Sequence, residues 1–392
     1  MKSLHLLALA LITNVTAAEF SAKDWHFSGS LENTLWSSDG IPAGFLEFDD
    51  SVFSAPRLSV NFDYQPDPRF YFHTTIRADR GFDPGTEPDG ELRIDRLLLR
   101  YRPFGDNTLN IQAGKSATVI GNWVPNHGYY DDPFLLAPLP YSAIVGISTN
   151  SPDGHSPQAI ENRANSTIPT LHLTKQSWSS IVWGPSYTNG FSVFGNKDKF
   201  NYAFEIKNAF LGSAPSQWDL GFDDLDEPTF SGRVGYQANA ALTVGLSASQ
   251  GSYLNADTLA NFDRNDFKQT LIAADLRWAH RNWIVSAEAF FATYDSLDED
   301  LQSFSYYLQA RYKVAPGVWL AGRFGQTLSN EVSVPSGGTA PWSPDLLRAE
   351  IALGWRITPE LLLKTQYTYT EVTNDLSAPA PNLFGFSLGW RF

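Results

Sequence analysis

Phe384, Phe386, Leu388, Trp390 and Phe392 take alternate positions at the end of the chain, with Gly385, Ser387, Gly389 and Arg391 between them. A period of two with one wholly apolar face specifies a β-strand that meets hydrocarbon on one side and water on the other. The same period recurs along the chain. It places strands at 25–37, 56–65, 69–79, 91–102, 107–115, 180–195, 199–210, 228–237, 240–251, 268–278, 281–293, 303–313, 317–327, 346–356, 360–371 and 382–392, sixteen in all. Charge separates by parity within them. Phe70, Phe72, Thr74, Ile76 and Ala78 fall on one face, and Tyr71, His73, Thr75, Arg77 and Asp79 on the other. Leu347, Ala349, Ile351, Leu353 and Trp355 likewise oppose Arg348, Glu350 and Arg356. An Arg or Lys turned to mid-membrane lipid costs about 2–4 kcal/mol, so the charged faces are read as lumenal.

The connections alternate as well. Short turns at 65–68, 103–106, 196–198, 238–239, 279–280, 314–316 and 357–359 are rich in Pro, Asp, Asn and Gly. Long connections lie between them at 38–55, 80–90, 116–179, 211–227, 252–267, 294–302, 328–345 and 372–381. A soluble sandwich has no reason to keep that parity, whereas a barrel with short periplasmic turns and long extracellular loops requires it. The expected fold is therefore all-β, a transmembrane antiparallel barrel of about sixteen strands. Residues 168–195 could hold one further hairpin, which makes eighteen the alternative. The last strand also resembles the terminal strand of bacterial outer-membrane proteins, which ends in Phe and is read by the assembly machinery.

Met1-Lys2-Ser3, the apolar run Leu4 to Ile12 and the small residues before Glu19 have the form of a secretory signal peptide. Cleavage after Ala18 is expected, with Ala17 as second choice, giving a leader at 1–18 and a barrel domain at 19–392. No later stretch approaches the roughly 18 apolar residues of a membrane-spanning helix. Among 392 residues there is no Cys, so neither a disulfide nor a thiolate metal site is available. The 12 Trp, 16 Tyr and 27 Phe suit the aromatic girdles at the two membrane interfaces. A net charge of −14 argues against a nucleic-acid partner. The acids gather in connections, at Asp49-Asp50, Asp131-Asp132, Asp219 to Glu227 and Asp295 to Asp300.

A connection as long as 116–179 needs a reason. Pro125, Pro133, Pro138 and Pro140 stiffen it, and its aromatic residues give it packing surface. It is read as folded into the barrel, with Trp123, His127, Tyr129, Tyr130, Asp131, Asp132 and Tyr141 at a constriction; a cap over the mouth is the other reading. By parity the pore-lining candidates are Arg77, Arg96, Arg100, Lys207, Arg233, Arg277, Glu288, Arg311, Arg323, Arg348, Glu350 and Lys364. Adding Arg356 on the basic side and Asp79, Glu205, Asp275 and Glu360 on the acidic side gives eleven bases against six acids. The excess would set a preference for anions, unless opposite charges pair into ladders along the wall. Neither His127 with Asp131 and Asp132 nor the acids at 219–226 have metal-ligand spacing, and no Ser-His-acid set has motif context, so no metal, cofactor or catalytic residue is expected.

The runs Glu91 to Lys115 and Gly190 to Asn208 resemble the strand-turn-strand blocks of Gram-negative porins of the phosphate-selective type. That resemblance implies sixteen strands, an outer-membrane location, an inward third extracellular loop and a homotrimer. Anion specificity in that family rests on a ladder of lumenal Arg and Lys. The set here is mixed in sign, so phosphate is not carried over. The expected function is a porin, a passive diffusion channel for small polar or anionic solutes, whose partners are the bilayer, those solutes and the assembly machinery. A saccharide-selective channel, with aromatic rings as a stacking track, is one alternative, and an outer-membrane enzyme or adhesion scaffold another.

Overall fold

The computed structural model describes residues 24–39, 52–81, 90–165, 178–213, 228–254, 262–373 and 382–392. The leader at 1–18 and the acidic run at 219–227 lie outside them. Sixteen antiparallel strands close into one barrel. They are β1 Trp25–Ser38, β2 Val52–Asp67, β3 Phe70–Asp79, β4 Glu91–Tyr101, β5 Asn110–Ser116, β6 Thr188–Lys197, β7 Phe200–Lys207 and β8 Thr229–Gln237. The second half comprises β9 Leu242–Ser252, β10 Lys268–His280, β11 Trp283–Tyr294, β12 Leu301–Ala315, β13 Val318–Ser329, β14 Leu346–Arg356, β15 Leu361–Val372 and β16 Asn382–Arg391. The terminal strands complete the ring, β16 pairing with β1 from Ser30↔Arg391 to Ser38↔Leu383. Closure leaves no strand edge in lipid, where an unpaired backbone group costs several kcal/mol.

Sixteen strands, not eighteen, form the wall. The segment Trp178–Ser180 pairs with Ile144–Ser148 in a separate two-stranded sheet off the barrel. The strand expected from residue 180 begins only at Thr188, because Gly184 and Ser186 take positive φ (47° and 48°) and turn the chain inward before the ladder starts.

The outer surface follows the alternation. Leu31, Leu99, Phe191, Leu246, Ile272, Leu308 and Ile351 are exposed on it, a band suited to hydrocarbon. Aromatic pairs gather beside the short turns: Trp25 with Tyr64 at 4.4 Å, Phe70 with Tyr101 at 5.0 Å, Phe200 with Tyr236 at 5.0 Å and Trp283 with Tyr312 at 4.7 Å. They form a girdle at one interface. Among the described residues no helix is long and apolar enough to cross a membrane.

Simple alternation fails on β4. Thr75 faces Arg96 but Ile76 faces Ile94, so Asp95 is an extra residue in a β-bulge. The bulge turns Arg93 and Asp95 into the barrel together with Arg96, where strict parity from Arg96 would give both to lipid.

Candidate constriction and lumenal recess

Beyond Ser116 the chain leaves the wall and crosses the lumen. Thr118 enters by donating its hydroxyl to Glu205 at 2.6 Å and its N–H to the carbonyl of Pro185 at 2.9 Å. Gly121 (φ 72°) follows in a site that only glycine fits, since a Cβ there would lie 2.4 Å from the Tyr141 hydroxyl oxygen and 2.9 Å from a Glu288 oxygen. The Glu288 carboxylate, on β11, accepts from the N–H groups of Asn122 and of Trp123 (2.6 Å) and from the Tyr141 hydroxyl (2.5 Å). Three donors converge on this one carboxylate, which makes it the principal anchor on that side.

The opposite wall holds the loop through cations. Lys364 on β15 donates to the carbonyls of Asp132 (2.9 Å) and Phe134 (3.2 Å), and Arg323 on β13 to that of Leu136 (2.7 Å). Arg348 on β14 donates to the Ser142 hydroxyl at 2.9 Å. Between the anchors the loop and wall share a dry core, in which Ile120, Trp123, Val124 and Tyr141 meet Leu271, Phe290, Tyr294 and Tyr307. The loop lies within the barrel, as expected, and seals the lumen against β9 to β12.

An aqueous recess of about 500 Å³ remains on the other side. Glu32, Arg57, Asn61, Thr75, Arg77 and Arg96 line its wall, and His127, Tyr129, Tyr130, Asp131 and Asp132 its loop side. It runs down to Arg391 and Phe392 at the short-turn end. A second recess, of about 40 Å³, lies across the loop, lined by Asn126, Asp131, Arg277, Gln309 and Arg311 among others.

The pore-lining candidates thus divide into four groups. Arg77 and Arg96 border the main recess, and Arg100 lies below them, donating to Gln112 at 3.0 Å and stacking on Tyr71 and Phe194. Arg277 and Arg311 border the smaller recess. Lys207, Glu288, Arg323, Arg348, Glu350 and Lys364 point inward but are buried, all except Lys207 and Glu350 directly bonded to loop residues from 122 onward. Lys207 donates to the carbonyl of Ser116, where the loop departs, and Glu350 pairs with Arg323. Arg233 is taken up by Asp275 at 2.9 and 2.7 Å. On the loop, Trp123 and Tyr141 belong to the core.

Charge along β2 to β4 is graded. Asp79 pairs with Arg57 at 2.9 Å and Arg93 at 2.6 Å, and Asp95 pairs with Arg77 at 3.0 Å and Arg93 at 2.8 Å; Glu91 also meets Arg93. Arg96, one step nearer the short-turn end, has no carboxylate within 4.0 Å among the described residues and lies over the Tyr187 ring at 5.5 Å. His127 bonds to the Tyr187 hydroxyl at 2.8 Å. Burial, reinforced by Arg96, lowers its pKa to about 3, so the imidazole is neutral at physiological pH. Asp132 is shifted upward by burial, against the pull of Arg323 and Lys364.

Glu32, Arg57 and Arg391 complete the charged lining of the main recess, and Arg93 and Asp95 are buried in the ion-pair cluster beside it; none of the five is among the pore-lining residues expected from the sequence. For Arg93 and Asp95 the signal was present: charges at 91, 93 and 95 followed at once by 96 can share one face only through a bulge.

No family model and no curated protein sequence matches the chain. Solved structures do. The chain is similar to the outer membrane channel DcaP of Acinetobacter baumannii, with 12% identity over 94% of this chain and 97% of that one and a TM-score of 0.58. It is similar to the trimer form of the outer membrane protein OmpT of Vibrio cholerae, with 12% identity, 94% and 99% coverage and a TM-score of 0.53. It is also similar to an anion-selective porin from Comamonas acidovorans, with 11% identity, 94% and 98% coverage and a TM-score of 0.53. At these identities the likeness is one of fold, and the fold is that of the outer-membrane porins of Gram-negative bacteria.

Proposed function

We propose that the protein is exported, loses residues 1–18 and works in the outer membrane as a passive channel that favours small anions. The observation that carries this reading is the recess between the inward loop and β2 to β4, where Arg96 faces water without a carboxylate partner. In a confined passage with low-dielectric walls one uncompensated charge acts strongly at short range. On this wall Asp79, Asp95 and Glu91 neutralise Arg57, Arg77 and Arg93, and the acids that do border the recess, Glu32, Asp131 and Asp132, stay beyond ion-pair distance of Arg96.

Reversal potentials across a salt gradient test the reading. The wild-type channel should prefer anions, and the Arg96→Glu, Arg100→Glu variant should lose or invert that preference. A cation-preferring wild type would mean that the acidic extracellular rim dominates, and the proposal would fall.

The saccharide alternative needs free aromatic faces. Lys364 sits 4.1 Å over the Tyr129 ring, and Arg391 and Arg356 sit 5.1 and 6.0 Å from the Tyr130 ring, so those faces are already covered by cations. An enzyme would have to begin from Asp63, His73 and Thr75, linked in a row at 2.8 and 2.9 Å. The Thr75 hydroxyl donates to Asn61 Oδ1 at 2.8 Å, which leaves its proton committed away from the imidazole. A passive channel fits both observations. The trimer form of the Vibrio cholerae protein supports assembly as a homotrimer, for which cross-linking of the folded protein should give a three-chain band.

A further inference from the structure

Five arginines turn inward at the short-turn end of the barrel: Arg100 on β4, Arg277 on β10, Arg311 on β12, Arg356 closing β14 and Arg391 closing β16. None has a carboxylate within 4.0 Å among the described residues. The acids around them do other work: Glu360, whose carbonyl accepts the Arg391 N–H, takes the Thr358 hydroxyl on its carboxylate, and Glu32, in the recess that reaches Arg391, takes that of Ser30. Asp63 holds Tyr71 and His73, and Asp131 borders the recess of Arg277 and Arg311 outside ion-pair distance. At the long-loop end, by contrast, Arg57, Arg77 and Arg93 are matched by Asp79, Asp95 and Glu91.

Like charges repel, so such a collar persists only if something neutral holds it. Aromatic rings do so for four of the five. Tyr130, at the tip of the inward loop, keeps Arg356 and Arg391 on one ring at 6.0 and 5.1 Å, Trp319 carries Arg311 at 5.8 Å, and Tyr71 with Phe194 carries Arg100 at 5.2 and 4.9 Å. A cation–π contact positions a guanidinium without neutralising it or occupying its forked donors.

We propose that this collar is a binding site for multivalent anions at the periplasmic mouth, deeper in positive potential than any point on the extracellular side. The proposal rests on an open passage and adds sidedness to it. Several guanidiniums spaced around one end of a pore bind a trivalent or tetravalent anion far better than a monovalent one, by charge and by bidentate donation. A polyanion too large to pass should then block monovalent current when it comes from the periplasmic side.

Inorganic tripolyphosphate, added to one compartment at a time against single channels at low salt, tests this. Half-block from one compartment should need a concentration at least tenfold lower than from the other, and the Arg356→Gln, Arg391→Gln variant should abolish that difference. Raising the salt should weaken the block, as screening requires. Equal block from both compartments, or an asymmetry untouched by the double variant and by Arg277→Gln with Arg311→Gln, overturns the collar even in a channel that conducts and prefers anions. A protein that conducts nothing overturns the open passage instead.

Discussion

Deleting residues 121–141 should raise single-channel conductance roughly twofold or more while the barrel stays folded, because a sixteen-stranded wall encloses an aqueous bore when nothing fills it. The stretch supplies Trp123, Val124, Phe134, Leu136 and Tyr141 to the cores that seal the lumen. None of the sixteen strands uses it for a ladder hydrogen bond. Glu288, Arg323 and Lys364 lose their loop partners in the deletion, but water enters with the same cut and solvates them, so no charge is left buried and unpaired. Unchanged conductance in a folded variant would mean that current never passes beside the loop.

The second large effect concerns the last residue. Removing Phe392 should lower the heat-modifiable, folded fraction in outer-membrane preparations well beyond what one partly exposed side chain suggests. The Phe392 N–H donates to the carbonyl of Gly29 at 3.0 Å and the Gly29 N–H donates back at 2.9 Å, the final hydrogen-bonded pair of the seam between β16 and β1. Gly29 is small for a reason: a Cβ there would lie 2.5 Å from the Phe392 ring, which covers the glycine from outside and packs beside Phe27 and Trp390 at 5.9 and 5.0 Å. Aromatic cover over a strand glycine pins register. A seam that closes one pair short should assemble slowly. Wild-type yields of folded barrel without Phe392, or a soluble periplasmic product, would count against this role.

Alternation made most of the wall legible, since lipid outside and water inside impose opposite chemistries on successive residues. The C-terminal face from Phe384 to Phe392 is the clearest case. Two positions escaped that logic for identifiable reasons. At Asp95 a bulge reset the parity, and at Ile181 to Tyr187 apolar residues that read as a strand are buried beneath the loop instead. The division of lumenal charges into recess-lining and loop-anchoring sets was not legible at all. Arg77 and Lys364 have the same parity signature, and only the path of the inward loop decides that one borders water and the other holds carbonyls.

The absence of Cys permits a direct test of where the passage runs. Ser59 on β2 borders the large recess opposite Arg77, whereas Ser247 on β9 is buried where it accepts the N–H of Gly121 at 3.3 Å. Each is replaced by cysteine, and channel current is followed while a negatively charged methanethiosulfonate is added. Current should fall for Ser59→Cys, where a new negative charge lands beside Arg77 and Arg96, and stay constant for Ser247→Cys. Block at Ser247→Cys with a silent Ser59→Cys would contradict a passage between the inward loop and the β1 to β4 wall.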